Sequence, residues 1–93
     1  MKILTVCGMG FGTSLMLLMN IQEIGKKHGV EVDGEAVDLG SFKGRECDLI
    51  VASMEISQEI KEENVEVIGI DNILDQNEIE NKILPYLIKL KDK

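Results

Sequence analysis

The chain has 93 residues, of which 44% are hydrophobic, so its length and composition fit one small domain with one core. Its formal net charge is −7, with 10 basic against 17 acidic residues, which argues against binding to nucleic acid or to an anionic membrane surface. Two cysteines and one histidine are too few for a disulfide framework or a zinc site, so we predict no metal and no cofactor.

Short β-branched runs alternate with longer amphipathic runs from residue 1 to residue 93. This alternation predicts a single α/β domain over 1–93, with a four-stranded parallel sheet of order 2-1-3-4 and helices on both faces. Gly29 follows the first helix at a position that favours a left-handed residue. The predicted elements, in chain order, are a strand at 3–6, a helix at 14–28, a strand within 30–37 that Gly34 interrupts, a strand at 49–52, a helix at 55–63, a strand at 65–70 and a helix at 76–90.

The first apolar run is too short for a signal peptide or a membrane-spanning helix, so we expect a reduced, cytoplasmic protein without direct membrane insertion. In a parallel sheet, ligands bind beyond the carboxyl ends of the strands. That edge would collect residues 7–14, 39–43, 53–57 and 71–74. The candidate functional residues are therefore sought there.

A glycine-rich loop follows Cys7 at the end of the first predicted strand, with glycine at every second position. Glycines at this spacing let backbone amides close around a tetrahedral anion, and the next helix directs its positive end at the same place. The positive potential of these amides and of the helix end lowers the pKa expected for a thiol there, so Cys7 is the candidate catalytic nucleophile. The hydroxyls of Thr13 and Ser14 can cap the helix or donate to the phosphate. The predicted phosphate-binding residues are Gly8, Met9, Gly10, Phe11, Gly12, Thr13 and Ser14.

Three related loop motifs fit this sequence poorly. The third glycine of a dinucleotide fingerprint and the lysine of a nucleotide P-loop are both missing. A cysteine phosphatase loop has the form C-x5-R-[ST], but Thr13 stands where the arginine belongs. Without that arginine the loop can hold a phosphoryl group but is poorly built to hydrolyse it. A small phosphatase or arsenate-reductase relative, and a non-catalytic anion-binding module, remain the alternatives.

Other residues near this edge have two interpretations each. Lys43 and Arg45 can steer a phosphorylated partner, although solvated surface charge is the simpler interpretation. Met9 and Phe11 suit partner contact as well as core packing. Met16 and Met19 can extend a docking surface together with Met54. Core packing is the alternative for Met16 and Met19, and it is the expected role of Met19.

The remaining cysteine and the histidine are predicted to lie away from Cys7. Cys47 precedes the third strand, at the amino edge of the sheet, so a disulfide with Cys7 is not expected. His28 lies at the far end of the first helix, roughly 20 Å from its start, and cannot act as a base for Cys7. Its simplest role is that of a cation near a helix carboxyl terminus.

The segment from Ile3 to Ser14 resembles the enzyme IIB components of the bacterial sugar phosphotransferase system (PTS), in the group for ascorbate, galactitol and lactose or cellobiose. The ascorbate type is closest, because its pattern Cys-Gly-x-Gly-x-Gly-[ST]-Ser matches residues 7–14. The run 49–52 followed by Ser53 also resembles the third strand of that family. Asp71 and Glu55 are acidic and depart from the ascorbate pattern, which leaves the sugar open.

The resemblance implies a defined reaction and three partners. The Cys7 thiol would accept a phosphoryl group from a phosphohistidine of a IIA protein. It would then pass the group to a sugar, with ascorbate as the candidate, held by the membrane IIC component. The chain would thus be a protein-phosphocysteine–sugar phosphotransferase.

Overall fold

Four strands and three helices alternate along the computed structural model, which describes residues 2–7, 12–38, 40, 46–60 and 65–91. The predicted α/β class and alternation are confirmed. The elements are β1 (Lys2–Cys7), α1 (Gly12–Lys27), β2 (Asp33–Asp38), β3 (Leu49–Ser53), α2 (Met54–Ser57), β4 (Glu66–Ile70) and α3 (Gln76–Lys91).

The four strands form one sheet in the predicted order β2-β1-β3-β4, and every neighbouring pair is parallel. Strand β1 lies between β2 and β3, with Cys7 opposite Asp38 on one side and Val6 opposite Ala52 on the other. All strands therefore end at one edge of the sheet. We call this the carboxyl edge and the opposite one the amino edge.

The sheet is covered on both faces, as predicted. Successive apolar residues of β1 belong to separate core clusters, because neighbouring side chains of a strand point to opposite faces. Ile3 packs on the face covered by α1 and α3, whereas Leu4 and Val6 pack on the face covered by α2. The larger cluster unites α1, the sheet and α3 through Ile3, Leu17, Ile21, Ile24, Val30, Leu49, Val51, Ile68, Ile70, Ile79, Ile83 and Leu87.

The connection between α1 and β2 explains where the second strand begins. Gly29 has the positive φ of 74° that its position after the helix predicts. The amide of Val30 donates to the Gly25 carbonyl at 2.7 Å, so it still belongs to the end of the helix. Strand β2 consequently starts at Asp33, later than the sequence pattern indicates. Gly34 lies inside the strand, opposite Ile3, and does not interrupt it.

Helix α2 is shorter than the predicted helix at 55–63. It ends at Ser57, and residues 61–64 lie outside the described part of the chain. After Gln58, the amides of Glu59 and Ile60 donate to the carbonyls three residues earlier, at 3.0 and 3.3 Å. This tighter pattern is typical of a helix that is ending. The Ser57 hydroxyl also donates to the Met54 carbonyl at 2.7 Å, which supports the same single turn.

Candidate functional site

Cys7, Ser53 and Asp71 meet at the carboxyl edge, as the sequence predicted. Cys7 is the last residue of β1, one position beyond the Val6–Ala52 pair, and Ser53 follows Ala52. Ser53 in turn lies opposite Ile70, and Asp71 is the next residue of the chain. Three strand ends therefore converge at the level of Cys7.

Helix α1 begins close to Cys7 and brings its amino end to the same edge. Only four residues separate the end of β1 from Gly12, the first residue of the helix. The first turn carries no acidic side chain, so its free N–H groups and positive dipole end are not opposed by a carboxylate of that turn. Such a helix end favours an anion beside the strand end.

Several predicted site residues lie outside the described part of the chain. These are Gly8, Met9, Gly10 and Phe11 of the loop, together with Lys43 and Arg45. Gly12 and Thr13 are placed as the first two residues of α1. The roles assigned to all seven loop positions, from Gly8 to Ser14, stay predictions.

Ser14 lies within the first turn of α1, because the helix starts two residues earlier than predicted. Capping of the helix, one of the two roles predicted for Ser14, requires a residue that precedes the helix, and Ser14 does not precede it. Ser14 is only 1% exposed. Its backbone carbonyl accepts a hydrogen bond of 2.8 Å from the hydroxyl of Thr5, which is fully buried in β1.

The Thr5–Ser14 bond ties the first turn of α1 to the strand that ends in Cys7. Thr5 was not predicted from the sequence, although a threonine in an otherwise apolar buried run was the available signal. Its hydroxyl fixes the position of the helix start relative to the strand end. Thr5 thus holds together the two structural parts from which the candidate site is built.

Substitution of Thr5 by valine tests this link. The variant keeps the branched shape of the side chain but removes the donor, so we expect the free energy of unfolding to fall by about 1 kcal/mol. Urea denaturation would measure the loss, and amide hydrogen exchange should accelerate in the first turn of α1. The Thr5→Ser variant retains the hydroxyl and should keep the slow exchange. Equal exchange in all three proteins would contradict a tethering role for Thr5.

The turn between β4 and α3 is held at the carboxyl edge by Glu78. Its carboxylate accepts hydrogen bonds from the backbone amides of Asp71, at 2.6 Å, and Asn72, at 2.9 Å. The ammonium of Lys82 donates to the same carboxylate at 2.8 Å and to the Gly69 carbonyl at 2.8 Å. Lys82 also lies 3.7 Å from the Asp71 carboxylate. Two side chains of α3, Glu78 and Lys82, thereby anchor the end of β4.

These bonds lower the pKa of Glu78 from 4.5 to about 2, with the hydrogen bond from Lys82 as the largest cause and the Asp71 amide next. A lowered pKa in the folded protein means that the carboxylate stabilises the fold when ionised. This contribution is complete above pH 4.5 and is lost as the pH falls towards 2. The turn is therefore anchored throughout the neutral range.

We expect Glu78→Gln to remove this pH-dependent part of the stability. The difference in unfolding free energy between wild type and variant should be constant above pH 5 and should shrink steadily from pH 4.5 to 2. Urea denaturation at a series of pH values would measure it, with the exposed Glu23→Gln as the control substitution. A difference that does not change with pH would show that Glu78 acts by packing alone.

The histidine and the second cysteine lie away from Cys7. His28 follows the last residue of α1, and its ring Nε2 lies 2.8 Å from the Glu80 carboxylate, which lowers the pKa of Glu80. The amide of Asp48 donates to the Lys2 carbonyl at 2.8 Å, so Cys47 lies at the amino edge. Roughly 16 Å of strand separates this edge from Cys7, which agrees with the expectation of no disulfide between the two.

Neither Met16 nor Met19 fills the core, so the expectation for Met19 is wrong. The two side chains are 50% and 57% exposed, and their neighbour Leu15 is 49% exposed. The buried face of α1 instead runs through Leu17 and Ile21 at helical spacing. Three large apolar side chains are thus exposed in the amino-terminal half of α1, on the helix that begins beside Cys7.

The described residues hold no cluster of three metal-ligating side chains. In that same part of the chain, no helix is both long and apolar enough to cross a membrane.

Comparison with known proteins identifies the family. The family model described as "PTS system, Lactose/Cellobiose specific IIB subunit" matches residues 2–84, from the start of β1 into α3. The "Ascorbate-specific PTS system EIIB component" of Mycoplasma pneumoniae (strain ATCC 29342 / M129 / Subtype 1) is 30% identical over an alignment of 90 residues, and the match covers 94% of this chain and 95% of that protein. Both matches include the strand end at Cys7 and the helix that follows it, and the chain therefore belongs to the PTS family of lactose/cellobiose-type IIB subunits.

Proposed function

We propose that this IIB component carries a phosphoryl group on Cys7, from a phosphohistidine of a IIA protein to a sugar bound by a membrane IIC permease. The observation that supports it most is the position of Cys7 at the end of β1, with only four residues between it and the amino end of α1. Residues 1–93 act in this proposal as one phosphocarrier domain in the cytoplasm, and the chain is a transferase.

The first step forms a bond between sulfur and phosphorus. The Cys7 thiolate attacks the phosphorus of the phosphohistidine, the S–P bond forms, and the P–N bond breaks. The electron pair of that bond returns to the imidazole nitrogen, which then binds a proton. The amino end of α1 favours this step because it stabilises both the thiolate and the phosphoryl oxygens, and the sequence predicts the same role for the amides of residues 8–14.

The second step returns the cysteine to its thiolate form. A hydroxyl oxygen of the sugar attacks the phosphorus, and the hydroxyl loses its proton to a base. The new O–P bond forms as the S–P bond breaks, and the electron pair of the S–P bond stays on sulfur. Each cycle therefore consumes one phosphohistidine and produces one sugar phosphate.

The site suits a carrier better than a hydrolase. The loop carries Thr13 where cysteine phosphatases have the arginine that stabilises the transition state of hydrolysis. His28, the only histidine in the sequence, pairs with Glu80 beyond the far end of α1, and that helix of 16 residues is about 24 Å long. A phosphocysteine in this site would therefore wait for its acceptor.

Ascorbate is the sugar that we propose to test first. The relative that covers nearly the whole chain is named ascorbate-specific, whereas the matching family model is described as specific for lactose or cellobiose. Membranes that contain the cognate IIC protein, supplied with phosphorylated IIA and this chain, should convert ascorbate to its phosphate. Conversion of cellobiose or lactose in its place would reassign the sugar.

Mass spectrometry of the intact chain tests the carrier role itself. Incubation with phosphorylated IIA should add one phosphoryl group, and peptide mapping should place it on Cys7. Aryl phosphates should be hydrolysed at a negligible rate. Rapid hydrolysis of an aryl phosphate would instead support the phosphatase alternative, and no uptake at all would support an anion-binding module.

A further inference from the structure

Ser53 ends β3 beside the strand end that carries Cys7. Val6 and Ala52 are the last pair of residues between β1 and β3, and Cys7 and Ser53 each follow one position later. Neighbouring strands of a sheet lie about 4.8 Å apart, so the backbones of these two residues are close neighbours. On its other side, across β2, Cys7 is paired with Asp38.

Positions 7 and 53 belong to the same face of the sheet. Val6 and Ala52 both pack in the smaller core cluster, on the face covered by α2. Successive residues of a strand alternate between the two faces, so the next position on each strand belongs to the face covered by α1 and α3. Thr5, two residues before position 7, agrees with this assignment, because its hydroxyl donates to a carbonyl of α1. A group attached at position 7 is therefore expected on the face to which position 53 belongs.

The Ser53 hydroxyl is not used to cap the helix that follows it. Ser53 directly precedes α2, and a serine in that position commonly accepts a hydrogen bond from an amide of the first turn. All of α2 lies in the described part of the chain, and no such side-chain bond forms within it. The Ser57 hydroxyl of the same turn, by contrast, donates to the Met54 carbonyl. The half-buried Ser53 side chain is therefore available to a ligand at the carboxyl edge.

A phosphoryl group at this edge requires hydrogen-bond donors from its neighbours. Its oxygens are charged acceptors, and a hydrogen bond to a charged acceptor is roughly twice as strong as one between neutral groups. The ionised carboxylate of Asp38 accepts hydrogen bonds and cannot donate them. The Lys82 ammonium already donates to Glu78 and to the carbonyl near the end of β4. Of the two residues that flank Cys7 in the sheet, only Ser53 can supply a side-chain donor.

We propose that the Ser53 hydroxyl donates a hydrogen bond to a phosphoryl oxygen when Cys7 carries the phosphoryl group. The inference rests on the proposed phosphocarrier function and adds a side chain of β3 to its site. Ser53 keeps its proton and forms no covalent bond to phosphorus. Because the hydrogen bond exists only in the phosphorylated state, it stabilises that state relative to the free thiolate. Ser53 thus shifts the distribution of phosphoryl groups between IIA and this chain.

The test measures that distribution at equilibrium. Equal amounts of phosphorylated IIA and of this chain are mixed, and intact-mass spectra are recorded until the phosphorylated fraction of each protein is constant. We expect Ser53→Ala to lower the equilibrium constant for transfer to Cys7 roughly tenfold, as the loss of one hydrogen bond to a charged group implies. Ser53→Thr keeps a hydroxyl at the same place and should give an equilibrium constant close to that of wild type.

Ser57→Ala is the matched control, because it deletes a hydroxyl from the same turn where that hydroxyl bonds to the backbone of α2 itself. Its equilibrium constant should equal that of wild type. The rate at which iodoacetamide alkylates Cys7 should also be the same in wild type and Ser53→Ala, because the hydroxyl bonds to the phosphoryl group and not to sulfur.

Three results would overturn the inference. If wild type is phosphorylated on Cys7 and Ser53→Ala has the same equilibrium constant, the hydrogen bond does not exist while the carrier function stands. An equal fall in Ser57→Ala would show damage to α2, and slower alkylation of Cys7 in Ser53→Ala would show a contact with sulfur. If wild type takes up no phosphoryl group, the carrier function fails, and the inference that rests on it fails too.

Discussion

Replacement of Cys7 by serine is expected to abolish phosphoryl uptake from IIA. A serine hydroxyl is not ionised at neutral pH, and nothing in the sequence places a histidine near residue 7 to activate it. The fold should not change, because the substitution exchanges two small side chains at a strand end. Circular dichroism and urea denaturation would verify this, while mass spectrometry after incubation with phosphorylated IIA would measure uptake. A Cys7→Ser protein that still gains a phosphoryl group would refute the carrier assignment.

The second thiol provides an internal comparison for the same experiment. Cys47 is half-buried beside the smaller core cluster at the amino edge, whereas Cys7 lies at the edge where α1 begins. We expect iodoacetamide to alkylate Cys7 rapidly below neutral pH, because a helix amino end favours the thiolate, and to react slowly with Cys47. Cys47→Ser should take up one phosphoryl group, as wild type does. Equal alkylation of both thiols at acidic pH would remove the argument for a thiolate at Cys7.

Replacement of Gly34 by valine is expected to cause the largest loss of stability among the variants considered. A Cβ at this position would lie 2.9 Å from the Ile3 carbonyl oxygen of β1, and a side-chain carbon of Leu18 occupies the same space. The neighbouring strand cannot move aside without breaking the sheet, so α1 must shift. Overpacking of this kind costs about 1–3 kcal/mol, which urea denaturation would measure as a lower midpoint.

Gly40→Ala is the matched control for that substitution. Within the described part of the chain, the atom nearest to a Cβ at Gly40 would be a carboxylate oxygen of Asp38 at 3.6 Å, which is an ordinary contact. The stability of this variant should equal that of wild type or exceed it by a few tenths of a kcal/mol, on the order expected when an unstrained glycine is replaced. Equal losses in both variants would mean that chain flexibility, and not space, decides the effect at Gly34.

Local signals were sufficient to predict most of the fold. Short β-branched runs and a glycine with positive φ are properties of neighbouring residues, so the alternation of strands and helices and the end of α1 shortly before Gly29 followed from pattern alone. Gly34 was misinterpreted because an interior glycine can equally mark a break or a close approach. Only the position of Leu18 above the strand decides between the two.

The parts of the site that the sequence did not predict depend on contacts between distant residues. Thr5 meets Ser14 across nine positions, and Lys82 meets the Gly69 carbonyl across thirteen. No periodicity encodes such pairs. Met19 was assigned to the core because methionines are often buried, but Leu17 and Ile21 already fill the face that α1 presents to the sheet. Which of two apolar stripes is buried depends on packing that a single sequence does not display.

The edge strand β4 has a consequence for how the protein behaves at high concentration. A strand at the border of a sheet exposes a row of backbone groups that can pair with a second molecule. Here the Lys82 ammonium donates to the Gly69 carbonyl, and the Tyr86 hydroxyl donates to the Glu66 side chain at 3.2 Å. Helix α3 thus places polar side chains beside β4. A second molecule that added a strand at this border would first have to break the bond between Lys82 and the Gly69 carbonyl. This cost disfavours growth of the sheet from the β4 side when the protein is concentrated.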